Sequence, residues 1–401
     1  MSIINIETEY TPKTKSGFAL FNLGFRPFFL GAAIFLVIST AIWSAVYLFG
    51  ISIGIESISD SQWHAHEMLY GYGMAVIAGF LLTAIKNWTG VQTISGKPLA
   101  GLFILWFVAR LLFFFGTSNL LLTAIFDLSF NILLIIFCSY PIIKSKQWRQ
   151  SFILSKLLFL LLGNVLFYLG ALEIVDDGVR LGLYGALYVI IAIVLTIGRR
   201  VMPFFIERGV GYPVQLLNSK WLDISSMLLF LGFFVFELME NDVISAYLAM
   251  GLFVINAIRL IGWHTKGIWQ KSLLWSIYLS FWFICFGFLL FAAVYFFDIS
   301  KFLAIHAFAI GGIGFMTLGM MSRVALGHTG RNVAAPHKFM SYAFILFILS
   351  FICRVVLPLF DIVSYEILIG LSQFLWLASF AIFIFLYLPI LTQPRVDGQH
   401  G

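Results

Sequence analysis

The sequence predicts an all-α integral membrane protein with about twelve transmembrane helices, and three observations carry this prediction. Of the 401 residues, 61% are hydrophobic and only 10% are charged, whereas a soluble domain carries roughly 25% charged residues. The apolar residues fall in runs of about 18–25, the length at which a helix crosses a bilayer. Lys and Arg collect in alternate loops, which is typical of cytoplasmic loops. We therefore expect a lipid bilayer to surround most of the chain.

The apolar runs give the helices in chain order. They lie at 26–50, 64–86, 99–116, 119–143, 153–172, 180–204, 221–239, 243–263, 273–297, 302–323, 339–361 and 364–390. Residues 18–392 thus read as a single polytopic transmembrane domain between two polar tails, 1–17 and 393–401. The break at Gly116-Thr117-Ser118-Asn119 predicts a tight hairpin between the third and fourth helices. The polar N-terminal tail does not resemble a cleavable signal peptide.

The orientation follows from the charges of the loops. Basic residues such as Lys144, Lys146 and Arg149 collect on one side, and acidic residues such as Asp176 and Asp177 collect on the other. Since cytoplasmic loops carry the excess of Lys and Arg, we expect both tails in the cytoplasm. The formal net charge of +6 then reflects membrane topology, so it does not indicate a nucleic-acid partner.

Two helices resemble each other closely enough to predict an internal repeat. Residues 63–90 align without a gap with residues 303–330. The aligned positions include His66 with His306, Gly71 with Gly311, Gly79 with Gly319, and Thr89-Gly90 with Thr329-Gly330. Arg110 in the next helix matches Arg354 at nearly the same offset. With the sixth helix as a diverged copy, the chain reads as three parallel four-helix units. The alternative is chance similarity between two glycine-rich helices.

Three histidines lie near the predicted outer ends of their helices. His64 and His66 open the second helix, followed by Glu67, and His306 lies a few residues into the tenth. Neutral imidazole is a common ligand of iron and copper, so all three histidines are predicted metal ligands and cofactor-binding residues. The alternative for each is an interfacial side chain that water satisfies. Residues i and i+2 lie about 200° apart on a helix, which favours separate sites for His64 and His66. Glu67, the obvious acid beside them, is a candidate proton relay.

Charged residues inside the helices are a second group of candidates, because charge at membrane depth is costly and often functional. Arg110 and Arg354 lie at matching depths, near Asp127 and Asp361 respectively. Pairing with that acid is one explanation. The other is that both arginines receive anionic groups, such as haem propionates, near the outer histidines. Arg110 and Arg354 are therefore predicted cofactor-binding residues.

A second polar layer lies on the predicted cytoplasmic side. His328, within Gly327-His328-Thr329-Gly330-Arg331, is a candidate cofactor ligand, and His264 and His337 are further candidates. A basic inner loop explains the same residues without any ligand.

The three cysteines indicate neither a disulfide nor a haem attachment site. Cys138, Cys285 and Cys353 lie far apart in apolar runs. This spacing argues against a disulfide framework and against a c-type haem motif.

Four segments resemble the NnrS family, and together they span nearly the whole chain. They are Gly24-Phe25-Arg26-Pro27-Phe28-Phe29; Trp63-His64-Ala65-His66-Glu67-Met68; Gly79-Phe80-Leu81-Leu82-Thr83-Ala84 with Asn87-Trp88-Thr89-Gly90; and Met316-Thr317-Leu318-Gly319-Met320-Met321-Ser322-Arg323-Val324-Ala325-Leu326-Gly327-His328-Thr329-Gly330-Arg331. The resemblance implies a multi-pass protein of the bacterial inner membrane that contains haem and copper. It also implies a role in the response to nitric oxide, often beside denitrification.

Two functions are open on these observations. The first is a haem-binding or haem–copper membrane protein that binds or turns over nitric oxide, with iron held by His66 or His306. Turnover would make it an enzyme and would need an electron donor, which the sequence does not identify. The alternative is a multi-pass transporter of a metal ion or small solute, with His and Arg lining the pathway. Interrupted helices would favour the transporter.

Overall fold

The computed structural model of the chain describes residues 17–54, 56–114, 119–399 and 401. Over these residues the chain forms twelve long helices and no β-strand. The helices are α1 (Phe25–Phe49), α2 (Asp60–Thr89), α3 (Lys97–Phe113), α4 (Leu120–Lys144), α5 (Ser151–Ala171), α6 (Gly178–Gly209), α7 (Lys220–Leu238), α8 (Asp242–Trp263), α9 (Ser272–Phe297), α10 (Lys301–His328), α11 (Phe339–Leu359) and α12 (Tyr365–Thr392). The predicted tail 1–17 and the predicted hairpin at 116–119 lie almost entirely outside the described residues.

The helices confirm the predicted fold class. Eleven of them are long and apolar enough to cross a membrane, and α3 has 17 residues. Their bounds follow the apolar runs closely, with one informative difference at α2. This helix begins at Asp60, before the apolar run, because Ser59 caps it. The Ser59 hydroxyl accepts from the Gln62 backbone N–H at 3.2 Å, and the Gln62 side chain accepts from the Ser59 N–H at 2.8 Å. This reciprocal capping box makes a polar segment helical.

Three of the helices contain a π-helical segment. These segments are Glu67–Gly73 in α2, Ala307–Gly314 in α10 and Ile352–Val356 in α11. The first two begin directly after His66 and His306, which are aligned positions of the predicted repeat. π-Segments are rare and occur frequently at functional sites. The π-segments of α2 and α10 therefore indicate a candidate functional site at the histidine end of these helices.

Helices α2 and α10 form the centre of the molecule. In the most apolar 18-residue window, 89% of α2 and 72% of α10 are buried, against 22% of α7. Tyr72 in α2 and Thr317 in α10 are joined by a hydrogen bond of 2.5 Å between their hydroxyl groups. Helix α6 contacts the π-segments of both. The second helices of the three predicted units thus meet at the centre, while the repeat itself and the in–out orientation stay predictions.

The aligned glycines serve helix packing. A Cβ atom on Gly71 would lie 2.6 Å from the Phe35 ring, and one on Gly79 would lie 2.9 Å from the Phe29 ring. At the aligned Gly311, the Phe283 side chain would lie at 2.5 Å. Because the chain's own aromatic rings cover these positions, the glycines let neighbouring helices approach closely.

Candidate functional site at the histidine end of the central helices

His66 is buried among polar side chains between α2 and α5. Its Nδ1 lies 2.9 Å from Glu67 Oε1, and its Nε2 lies 3.0 Å from Asn164 Oδ1. Its ring stacks on Phe167 with the ring centroids 4.1 Å apart. Both His66 and Glu67 are fully buried. Each ring nitrogen is hydrogen-bonded to an oxygen atom, so neither offers a free lone pair to a metal ion.

Arg110 and Asp127 complete this group of side chains. Arg110 Nη1 pairs with Glu67 Oε1, and Arg110 Nη2 lies 2.7 Å from Asp127 Oδ1. Asp127 Oδ2 accepts hydrogen bonds from Asn164 Nδ2 at 3.1 Å and from the Tyr168 hydroxyl at 3.0 Å. The pairing of Arg110 with Asp127, one of the two explanations drawn from the sequence, is confirmed. The group that we call the His66 network consists of His66, Glu67, Arg110, Asp127, Asn164 and Tyr168.

The contacts within the His66 network determine which polar atoms of Glu67 and Arg110 could still bind a proton or an anion. Glu67 Oε1 contacts both His66 and Arg110, whereas Glu67 Oε2 is buried without a hydrogen-bond partner among the described residues. A proton-relay role for Glu67 and an anion-binding role for Arg110 stay predictions. Two carboxylates already surround Arg110, so an external anion there would meet like charge.

His64 faces a different side of α2 from His66. Its ring stacks on Trp43 of α1, with centroids 4.6 Å apart and planes 8° from parallel. Its Nδ1 is buried and has no hydrogen-bond partner in the described part of the chain. A buried nitrogen without a partner is uncommon and costly. The expected separation of His64 from His66 is therefore seen, and His64 has a nitrogen that a ligand could satisfy.

His306 has a defined tautomer. Its Nδ1 lies 2.7 Å from the Phe302 carbonyl oxygen, and its Nε2 lies 3.2 Å from Arg354 Nη2. A carbonyl only accepts and a guanidinium only donates, so Nδ1 carries the hydrogen and Nε2 presents its lone pair. Metal-binding histidines show this arrangement, in which the second ring nitrogen donates to a carbonyl or carboxylate oxygen.

Arg354 lies beside His306 and within electrostatic range of His64. Its Nη1 donates to the Tyr365 hydroxyl at 2.6 Å, and its guanidinium carbon lies 5.3 Å from the centroid of that ring. The His64 and His306 imidazoles also lie within electrostatic range of each other. We call His64, His306, Arg354 and Tyr365 the His64–His306 cluster.

Arg354 does not pair with the acid that its position in the sequence suggested. Of the ion pairs formed by described residues, none includes Arg354. Asp361 is exposed in the turn after α11, where its φ is 49°. Water solvates a carboxylate in that position, so it has no need of Arg354. Pairing with Asp361, one of the two explanations drawn from the sequence, is therefore not seen for Arg354.

An open cavity of about 360 Å³ adjoins the cluster. It lies between the loop that precedes α10 and the loop that precedes α12. Its walls include Ser300, Phe302, Pro358 and Tyr365. Tyr365 accepts the hydrogen bond from Arg354, and the Phe302 carbonyl accepts the one from His306. The cavity thus shares two residues with the partners of the cluster.

The candidates predicted for the cytoplasmic side lie at the opposite ends of the helices. The His328 ring packs 5.8 Å from the Phe25 ring, and the His328 carbonyl accepts from Arg395 at 3.1 Å. His264 accepts a hydrogen bond of 3.0 Å from Trp269 Nε1. Each of these residues has a local partner, and a ligand role for His328 stays a prediction.

The C-terminal tail is held against the start of α1 and the end of α12. Arg26, which is fully buried, donates to the carbonyl oxygens of Leu391 at 2.9 Å and Gln393 at 2.8 Å. Arg395 pairs with Asp397 at 2.5 Å, and this guanidinium lowers the pKa of Asp397 to about 2. Arg26 thus caps α12, since basic side chains stabilise the free carbonyls of a helix C-terminus.

Among the described residues, no group of three His, Cys, Asp or Glu side chains could hold a metal ion. The three cysteines are free and buried. The described residues therefore bring together two imidazoles, those of His64 and His306, and leave the predicted ligand His66 in a separate network.

Sequence reasoning missed several residues of the two groups. Asn164 and Tyr168 lie four residues apart on one face of α5 and reach Asp127 together. Polar residues at this spacing within an apolar run were the available signal. Trp43 and Tyr365 gave no such signal, because aromatic residues are common at the ends of membrane helices.

A family profile described as NnrS protein matches residues 19–395. The match covers all twelve helices. A comparison with curated proteins finds no match.

Proposed function

We propose, from the premise that the chain belongs to the NnrS family, that it is a haem-binding protein of the bacterial inner membrane. Its proposed role is to bind or turn over nitric oxide, in the nitrosative-stress response or in denitrification. The twelve apolar helices make it a multi-pass membrane protein.

The single observation that supports a haem site is the orientation of His306. The Phe302 carbonyl fixes the hydrogen on Nδ1, which leaves the lone pair on Nε2 for iron. His64, with its unpartnered buried Nδ1, is the second imidazole of the same cluster. Haem iron, when bound, supplies a coordination position at which a diatomic gas can bind. The donor set therefore fits an imidazole-ligated haem.

The residues around His306 have separate tasks in this proposal. The Phe302 carbonyl orients the ring and raises its basicity through the Nδ1 hydrogen bond. Arg354 donates to Nε2, and a metal ion held at that nitrogen would take the place of this hydrogen bond. Trp43 covers the His64 ring and limits access of water to it. Copper, which the family implies, has no three-donor group in the described residues, so we assign it no ligands.

The visible spectrum of the detergent-purified protein, recorded with metal analysis, tests this proposal. Substitution of His306→Ala is expected to lower haem per protein by more than about tenfold, because even partners of metal ligands change affinity by 10–100-fold. His337→Ala is the matched control, since His337 is exposed and lies outside the cluster. A wild-type protein without a Soret band would refute the proposal. Full haem occupancy in His306→Ala would refute the ligand assignment.

The transporter alternative receives less support. It would be favoured by helices that break within the membrane. Helices α2 and α10 instead run without a break from Asp60 to Thr89 and from Lys301 to His328, with π-segments but no unwound backbone. Uptake of a candidate metal ion into vesicles, with no bound haem, would reverse this preference.

A further inference from the structure

The two aligned arginines have different surroundings. Arg110 lies between Glu67 and Asp127. At the position aligned with Glu67, the last predicted unit has Ala307. Arg354 forms no ion pair with a described residue, so this predicted unit keeps the cation without a carboxylate that neutralises it.

Arg354 has only neutral partners in the described contacts. These are the Tyr365 hydroxyl and the Nε2 lone pair of His306. Glu366, the next residue after Tyr365, is exposed and forms no ion pair with a described residue. A half-buried guanidinium without a counter-charge is costly. The planar fork of Arg is suited to bidentate binding of a carboxylate.

We propose that Arg354, with Tyr365 and His306 beside it, binds a carboxylate or similar planar oxyanion that comes from outside the chain. The ligand takes the place that Glu67 and Asp127 occupy around Arg110. The adjoining cavity of about 360 Å³ falls within the range of ligand pockets, roughly 300–1,000 Å³. Its walls include Tyr365 and Ser300, two residues with hydroxyl groups that suit a polar ligand.

The same chemistry has two sources. One is the propionate of a bound haem, and this form of the inference rests on the proposed function. The other is a small free oxyanion such as acetate or nitrite, which requires no haem. Two arms of one experiment separate these sources.

The first arm uses the full chain purified without haem in detergent, with sodium acetate as the probe. Binding is followed by line broadening of ¹³C-acetate and by the acetate-dependent shift in thermal unfolding. Arg354→Gln is expected to weaken binding by about tenfold, because a charge-assisted hydrogen bond to carboxylate is lost. Arg354→Lys is expected to bind with intermediate affinity, since Lys keeps the charge and lacks the fork. Arg180→Gln is the matched control, because Arg180 already pairs with Asp177 and Glu240.

The second arm compares reconstitution with haem and with haem dimethyl ester. A preference for the free acid that disappears in both Arg354 variants identifies a propionate as the ligand. Arg354-dependent binding of acetate without such a preference identifies a free oxyanion. Wild-type behaviour of Arg354→Gln and Arg354→Lys in both arms would overturn the inference. Absence of haem binding by the wild type would refute the proposed function and leave the acetate arm to decide this inference.

Discussion

At the scale of single residues, two histidines at aligned positions have different hydrogen-bond partners. His66 has both ring nitrogens bonded to oxygen atoms, whereas the Nε2 lone pair of His306 accepts from Arg354, a side chain that a ligand could displace. The sequence alone does not distinguish these two histidines, since each follows a similar helix start. The difference arises from Asn164, which is 98 residues from His66 in the chain. A partner this distant has no local pattern that would reveal it.

Removal of the His66 side chain tests this distinction. His66→Ala leaves a cavity in place of a buried ring and removes one hydrogen-bond partner each from Glu67 Oε1 and Asn164 Oδ1. We expect the free energy of unfolding to fall by about 3–5 kcal/mol, measured by thermal or denaturant unfolding in detergent. Haem per folded protein is expected to stay within about twofold of wild type, because neither nitrogen is available to iron. Haem loss as large as that of His306→Ala, with unchanged stability, would show instead that His66 is the ligand.

At the scale of elements, the positions of the helices could be predicted well and their internal geometry could not. Apolar runs locate membrane helices because the bilayer sets their length. The polar start of α2 at Asp60 was missed, since it depends on the Ser59 capping box. The π-segments after His66 and His306 were also missed. A π-segment holds more residues per turn than an α-helix, and apolar periodicity does not reveal where this change occurs.

Close packing of α1 against α2 gives a prediction at this scale. Gly79→Val introduces a Cβ 2.9 Å from the Phe29 ring and 3.0 Å from Phe28 Cβ, so these side chains must shift. Overpacking of this kind costs about 1–3 kcal/mol. Gly101→Val on α3 is the control, because its Cβ meets nothing within 4 Å. Thermal unfolding of both variants in detergent measures the difference. Equal stability of the two would mean that α1 and α2 are not in close contact at Gly79.

At the scale of the whole molecule, each of the helices α2, α6 and α10 is the second helix of a predicted four-helix unit. The α2 and α10 π-segments contact α6, so the predicted units place their second helices at a common centre. The aligned residues of α2 and α10 predicted that these two helices occupy equivalent places. The place of α6 was predicted only from its weaker similarity to them. The two strong copies nonetheless differ at Glu67 and Ala307. The predicted units thus carry one arginine that two carboxylates neutralise, Arg110, and one without an ion pair among the described residues, Arg354.

The orientation of this architecture in the membrane is tested by labelling single introduced cysteines. Gln147 and Asp176 are exposed at opposite ends of α5, and the native cysteines are buried and free, so background labelling is low. The excess of Lys and Arg predicts that Gln147 is cytoplasmic. A membrane-impermeant maleimide should therefore label Asp176→Cys in intact spheroplasts and Gln147→Cys only after lysis. The reverse pattern would invert the predicted topology and place the His64–His306 cluster at the cytoplasmic face. Labelling of both in intact spheroplasts would mean that α5 does not cross the membrane.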